Sequence, residues 1–214
     1  MSSQHIVVGP LRDADLDRVT RIHIAAFRTS ALTPLGAGAV RRYYVWQLTG
    51  PHDVVALGAW LDGELRGYCF GGVFRGAASG FVRRNRGFLV GCVLCRPWLV
   101  LSAGVRRRMM DSLRLLRPSK RTAATTPKET AQGKSFAILA IAVDPDYQGH
   151  GIGRVLMERS EAAAREAGFT QLHLTVHPDN EQAIGFYERL GFRKVHEGGG
   201  WRGLMRKDLR HCEA

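Results

Sequence analysis

Three glycines at alternate positions, Gly149, Gly151 and Gly153, lie within QGHGIGR, residues 148–154, between an uninterrupted apolar run and a stretch of helical periodicity. Glycine inside a helix is unfavourable by roughly 0.5–1 kcal/mol relative to alanine, so three of them where a helix begins need a reason beyond helix formation. A helix start exposes unpaired backbone N–H groups and carries about half a positive charge. Removing side chains from the turn in front of it lets the oxygens of an anion reach those N–H groups. Strand, glycine turn and helix thus read as a phosphate cradle, although a turn of purely structural use fits the same spacing. Two familiar cradles are excluded. A dinucleotide fingerprint counted from Gly149 meets Arg154 where it needs glycine, and the Gly-Lys-Ser/Thr of a P-loop is absent.

The elements that must hold this turn are marked by periodicity. Residues 136–143 (FAILAIAV) are uninterrupted apolar, as in a central strand buried on both faces. Beyond the glycines, Ile152, Val155, Leu156, Ala163 and Ala167 continue at helical spacing, and Gly168 stands where a helix ends. Residues 171–177 alternate, with Leu172, Leu174 and Val176 on one side and His173, Thr175 and His177 on the other. Asp179 with Gln182 resembles a capping box, starting a helix through Leu190 that Gly191 stops. Near the N-terminus residues 6–8 are β-like. Leu16, Val19, Ile22, His23 and Ala26 then form one helical face, with Asp13 or Asp15 as N-cap. A second helix is expected over 39–48. Strands over 54–60 and 65–70 are joined through Asp62-Gly63, a type I′ hairpin signal because both central residues need positive φ. Residues 81–96 and 98–116 read as two helices, the second opened by Pro97, and 117–135 as a loop. Strand pieces around 192–196 and 201–209 follow, and the order predicts a mixed α/β sheet.

The 214 residues suit one domain, or one domain with an insertion. The N-terminus lacks the basic-then-apolar pattern of a signal peptide. Four cysteines, Cys69, Cys92, Cys95 and Cys212, are too few and too unevenly spread for a disulfide framework, which points to reduced thiols in a cytoplasm. Of the net charge of +12, fourteen Arg or Lys and two acids fall between Arg75 and Lys134, so the rest of the chain is balanced. Within that segment residues 88–105 are strongly apolar, but Arg96-Pro97 splits them into pieces far shorter than the roughly twenty residues of a membrane span. Three readings of the segment stay open. It could be a helical hairpin over the substrate side of the sheet with a solvated basic face. It could be an interfacial hairpin drawn to anionic lipid at the inner membrane surface. It could be an electropositive rim for an anionic acceptor or nucleic acid, with nucleic acid disfavoured by the thin aromatic interleaving. The C-x-x-C of Cys92 and Cys95 lacks a second pair and reads as packing, so no metal is expected.

Gln148-x-x-Gly151-x-Gly153, preceded by the apolar strand and Val143-Asp144-Pro145, resembles the acyl-CoA pyrophosphate loop of the GNAT superfamily of N-acetyltransferases. Asn180-x-x-Ala183-x-x-Phe186-Tyr187-x-x-Leu190-Gly191-Phe192 is similar to a second signature of that family, and LRDADLDRVTRIHIAAF (residues 11–27) to its first strand and helix. The two signatures span residues 136–195, and the likeness does not cover 75–135. The resemblance implies a single acetyltransferase domain over residues 1–214. Its fold would be a mixed, mostly antiparallel central sheet flanked by helices, with the basic helical insertion 75–135 between the third and fourth strands. It implies acetyl-CoA as co-substrate and a primary amine as acceptor, a small-molecule amine ahead of a protein. The alternative is a catalytically silent acyl-CoA-binding module whose insertion contacts anionic membrane or nucleic acid.

By the same resemblance, backbone N–H groups of Gln148, Gly149, His150, Gly151, Ile152, Gly153 and Arg154 hold the pyrophosphate. Asn180 contacts the pantetheine or orders its loop, although an N-cap role fits it as well. A backbone N–H among Ile141, Ala142 and Val143 polarises the thioester carbonyl where the central strand splays from its neighbour. Tyr187 aligns with the acid that protonates the departing thiolate; its helical position alone fits a packed tyrosine equally. The central strand carries no acid, a departure from members with a glutamate there. The general base is therefore left among His173, His177, Asp144, Asp146 and Glu64. Direct attack in a ternary complex needs no cysteine nucleophile.

Overall fold

The computed structural model describes residues 5–95, 135–196 and 200–209. In chain order the elements are β1 (Ile6–Pro10), α1 (Leu16–Ala26), α2 (Ala37–Thr49), β2 (Asp53–Leu61), β3 (Glu64–Val73), α3 (Ala77–Arg84), α4 (Arg86–Leu94), β4 (Ser135–Val143), α5 (Ile152–Glu166), β5 (Gln171–Thr175), α6 (Glu181–Arg189), β6 (Arg193–His196) and β7 (Trp201–Asp208). Asp62 and Gly63 both take positive φ, 52° and 78°, and fold β2 onto β3 as the hairpin signal predicts. One seven-stranded sheet results, in the order β1-β2-β3-β4-β5-β7-β6. Only β4 and β5 run parallel. Parallel neighbours need a crossover, and α5 lies in the connection between them.

Helices cover both faces. On one, Leu16, Val19 and Ile22 of α1 and Val40 and Tyr44 of α2 pack on Tyr68, Phe70 and Ala142. On the other, Ile152, Leu156 and Met157 of α5 and Ile184 of α6 pack on Cys69, Phe136, Ile138 and Leu172. Each large side chain so buried is worth about 1.5–3 kcal/mol. The buried stripe of α5 runs through Ser160, Glu161 and Ala164, not through the expected Ala163 and Ala167. Its two polar members are satisfied: Ser160 Oγ donates to Leu156 O at 2.8 Å, and Glu161 is ion-paired with Lys207 and Arg165.

Four local expectations change. Residues 81–96 do not form one helix: α3 ends at Arg84 and α4 begins at Arg86, with Asn85 at ψ 17° between them and its Nδ2 donating to Phe81 O. The cap of α6 is Asn180, whose Oδ1 accepts from Ala183 N at 3.1 Å, one residue beyond the Asp179 capping box. Of FAILAIAV only Phe136, Ile138 and Ala142 are buried, so β4 is not covered throughout on both faces. Asp15 stands at the N-cap position of α1 as expected, but its carboxylate accepts from Arg12 N at 2.8 Å and makes no capping hydrogen bond to the helix. The helix expected over 98–116 lies outside the described residues, as does the loop before Ser135.

Candidate active site

The sheet is open at its centre. Pairing between β4 and β5 runs from Ser135↔Gln171 to Ile138↔Leu174 and stops. β4 continues through Leu139, Ala140, Ile141, Ala142 and Val143, still paired to β3 on its other side. The backbone groups of these residues that point toward β5 therefore have no strand partner. At the same point the β3–β4 register shifts, so that Phe70 pairs with Ala140 and Gly71 with Ile138, leaving Leu139 as an extra residue. Such a bulge re-aims side chains. Leu139 and Ala140 both pack toward α1 and α2, while Ile138, Ile141 and Val143 face α5 and α6.

Beyond Val143 the chain is tied down before it reaches the glycines. Asp144 Oδ2 lies 2.6 Å from Arg18 Nη2 and 3.6 Å from Arg66 Nη1. Arg18 Nε donates to Leu65 O at 3.0 Å, Asp144 N to Arg66 O at 2.7 Å, and the Arg66 guanidinium stacks 4.0 Å from the Tyr147 ring centroid. The turn Pro145–Tyr147 is thus fastened to α1 and β3. Sequence spacing gave no sign of this bracket, since Arg18 and Asp144 are 126 residues apart. The pairing of one carboxylate with two guanidiniums removes Asp144 from the general-base candidates.

The glycines do two different things. Gly149 and Gly151 take φ of 83° and 80°, a region where a Cβ is strained, and a Cβ at either would meet nothing within 4 Å. The space in front of the α5 N-terminus is open, and Gln148, Gly149, His150, Gly151 and Arg154 are exposed around it. His150 Nδ1 donates to the carbonyls of Tyr147 and Gln148, folding the ring onto the loop. Ile152 buries its side chain beneath the turn. Gly153 serves packing instead: a Cβ there would stand 3.3 Å from Phe186 Cζ and 3.7 Å from Val143 Cγ2, so its absence seats α5 against α6 and β4.

Tyr187 lies on the α5–α6 side of the sheet, edge-on to Phe186 and Phe192 at ring-centroid distances of 5.3 and 5.8 Å. Burial pushes its phenol well above the usual tyrosine range, with a smaller contribution from Cys69, the β3 residue paired with Ile141. Its hydroxyl has no hydrogen-bond partner among the described residues, leaving a protonated donor unengaged.

Other candidates separate by position. His173 Nδ1 is hydrogen-bonded to Ser135 Oγ at 2.7 Å at the start of β4, and burial lowers its pKa to about 4. Glu64 sits at the exposed β2–β3 turn and Asp146 on the exposed turn after β4. His177 lies past the end of β5, exposed, 3.5 Å from Asp179 Oδ2. The Cys69 thiol is fully buried and pushed up to about 12, lies 3.2 Å from Ser160 Oγ, and is no nucleophile. Among the described residues no His, Cys, Asp and Glu cluster could hold a metal ion. Sequence reasoning also missed a buried polar cluster beneath α1 and α2. His23 Nδ1 lies 2.8 Å from Tyr44 Oη, which lies 2.7 Å from Tyr68 Oη, and Tyr68 pairs with Ala142. Only the His23 position was marked, as part of a helix face.

A mixed α/β sheet that splits beside a glycine-turned helix start is a fold that solved structures share. PaiA N-acetyltransferase of Thermoplasma acidophilum, solved with coenzyme A, has a TM-score of 0.57 over 95% of this chain and 99% of its own, at 14% identity. YncA of Salmonella typhimurium, solved with its cofactor acetyl-CoA, has 0.54 over 98% and 96%, at 18% identity. The model of the Acetyltransferase (GNAT) family matches residues 17–192, and the chain belongs to that family. In sequence it is similar to the peptidyl-lysine N-acetyltransferase YjaB of Escherichia coli, 35% identical over 99 residues, 44% of this chain and 63% of YjaB. The chain spans less than two thirds of the length of the curated relatives it matches.

Proposed function

We propose that this chain transfers the acetyl group of acetyl-CoA to a primary amine by direct attack in a ternary complex. The observation that carries the reading is the β4 edge left unpaired from Leu139 to Val143, next to a helix start with no side chain in front of it. In this reading the N–H groups from Gln148 to Arg154 hold the pyrophosphate, and the pantetheine arm enters the split, where Asn180 orders the neighbouring loop. An N–H among Ile141, Ala142 and Val143 stabilises the oxyanion, an effect often worth about 3 kcal/mol. The amine nitrogen attacks the carbonyl carbon, the C–N bond forms and the C–S bond breaks. The leaving thiolate takes the proton of Tyr187, the amine gives up its proton to water, and water returns a proton to the Tyr187 phenolate. The inert Cys69 thiol supports direct attack over an acyl-enzyme.

The acceptor is a primary amine, a small molecule first. The similarity to the peptidyl-lysine N-acetyltransferase YjaB makes a lysine-bearing peptide the second class to test. Calorimetric titration of acetyl-CoA into the wild type and a Gly151→Glu variant tests the cradle, followed by a thiol-release assay over a panel of both amine classes. Micromolar binding lost in a folded variant, with turnover on at least one amine, is expected. Binding without turnover would leave a silent acyl-CoA module, and no binding by a folded wild type would overturn the reading.

A further inference from the structure

Beyond Arg86 at its start α4 carries no charged residue, yet none of its residues is buried. Phe88 and Cys92 line a groove of about 410 Å³ against Gly36 and Gly38 of the α2 start. Roughly opposite on the helix, Val90 and Leu94, one turn apart, are 57% and 74% exposed, and Val82 on α3 is 49% exposed. Single exposed aliphatic residues are ordinary. Here three of the four large exposed apolar side chains among the described residues fall on two consecutive short helices. The exposed arginines Arg83, Arg84 and Arg86 stand beside them, without an ion-pair partner among the described residues, and α3 and α4 contain no acid. The sequence places the entire +12 surplus between Arg75 and Lys134.

We propose that α3 and α4 form an interfacial docking surface for an anionic lipid bilayer. Val82, Val90 and Leu94 enter the boundary between headgroups and acyl chains, and Arg83, Arg84 and Arg86 lie against anionic headgroups. The pairing of the two features selects this occupant. A second copy of the chain would bring two strongly basic surfaces together. A nucleic acid would neutralise the arginines but leave the aliphatic side chains in water, and Phe81 is buried and unavailable for stacking. A bilayer satisfies both, and basic residues beside an apolar face are the composition of interfacial helices. With eight and nine residues the helices lie on the surface, and no described helix is long and apolar enough to cross a membrane. The inference stands apart from the acetyltransferase reading, because it rests on α3 and α4, which pack on α2 and on residues 33–35.

The experiment is co-sedimentation of the full chain with phosphatidylcholine vesicles, with and without phosphatidylglycerol. It is repeated for Arg83→Gln/Arg86→Gln and Val90→Gln/Leu94→Gln, with thermal midpoint, sedimentation velocity and soluble-amine turnover measured in parallel. Binding should require phosphatidylglycerol, weaken about fivefold per arginine removed, and fall at least as far in the aliphatic variant. Midpoint and turnover should stay unchanged. Four results would each overturn the proposal. One is absence of binding by the wild type. Another is binding that ignores the aliphatic variant, which would mark a purely electrostatic surface for any polyanion, duplex DNA included. A third is a midpoint lowered by several degrees in that variant, which would show that the chain itself covers this face. The last is a wild-type dimer that the variant abolishes. A wild type that binds these vesicles yet turns over no amine would count against the acetyltransferase reading alone.

Discussion

A half-buried phenol packed among aromatic rings, with no hydrogen-bond partner for its hydroxyl among the described residues, keeps its proton until something more basic arrives. Tyr187 is such a group, and a thiolate leaving group would be such a base. Tyr187→Phe should therefore lower kcat by about 10²–10⁴-fold, while calorimetry finds acetyl-CoA affinity unchanged. The direction of its shift gives a second check. With the pKa raised, the acid form persists above the usual tyrosine value of about 10, so this group imposes no decline on kcat at or below that pH. A decline centred near pH 8 that disappears in Tyr187→Phe would contradict the role. Cys69 gives the complementary test. Its thiol, pushed up to about 12 and bonded to Ser160, should be dispensable. Cys69→Ala should retain kcat within about threefold, as a packing residue would, and an activity collapse in a folded variant would reinstate an acyl-enzyme.

The strand end, the loop and the helix that follows act together, and their positioning is held by charge. Asp144 joins Arg18 of α1 and Arg66 of β3 to the start of the turn. Asp144→Ala leaves two guanidiniums without their carboxylate and frees the turn. The KM for acetyl-CoA should rise about tenfold, equivalent to about 1.4 kcal/mol, with a much smaller change in kcat. An equal fall in kcat at constant KM would mean that the bracket positions the reacting atoms and not the anion. The glycines separate by mechanism. Gly151→Ala meets no atom but strains a left-handed residue by about 1–2 kcal/mol, whereas Gly153→Leu forces a side chain into Phe186 and should cost about 1–3 kcal/mol by overpacking. Chemical denaturation of the two variants checks the ranking. The glycine spacing announced the loop in the sequence, and alternation announced β5, because both are local patterns. The Arg18–Asp144 pair, the bulge at Leu139 and the His23–Tyr44–Tyr68 cluster were not legible, since each depends on residues brought together by the sheet. Asn85 broke an expected helix because apolar periodicity continued through it on both sides.

Acid should be this protein's weak direction, for reasons distributed over the fold. Folding places His23 in the core beneath α1 and α2, 5% exposed, and burial lowers it to about 4. His173, beside Ser135 and near Arg206, is lowered to about 4 as well, first by burial and then by that charge. In the unfolded chain both titrate near 6.5. Between pH 6.5 and 4 the unfolded chain binds protons that the folded one refuses, so stability rises with pH across that window. It is present above pH 6.5 and lost as pH falls toward 4. For His23 the gap amounts to on the order of 3 kcal/mol, and the partly exposed His173 adds less. A chain already at +12 gains further positive charge on acidification, and its self-repulsion acts in the same direction. Urea midpoints taken at pH 7.5, 6, 5 and 4.5 should therefore fall steadily, at low and at high salt. Salt removes the repulsive part by screening but leaves the buried imidazole untouched. His23→Gln, at high salt, should flatten most of the remaining slope while lowering the plateau, because the tyrosine pair loses its partner. If the slope survives His23→Gln and disappears in His173→Gln instead, the acid sensitivity originates at the start of β4 and not in the core under α1.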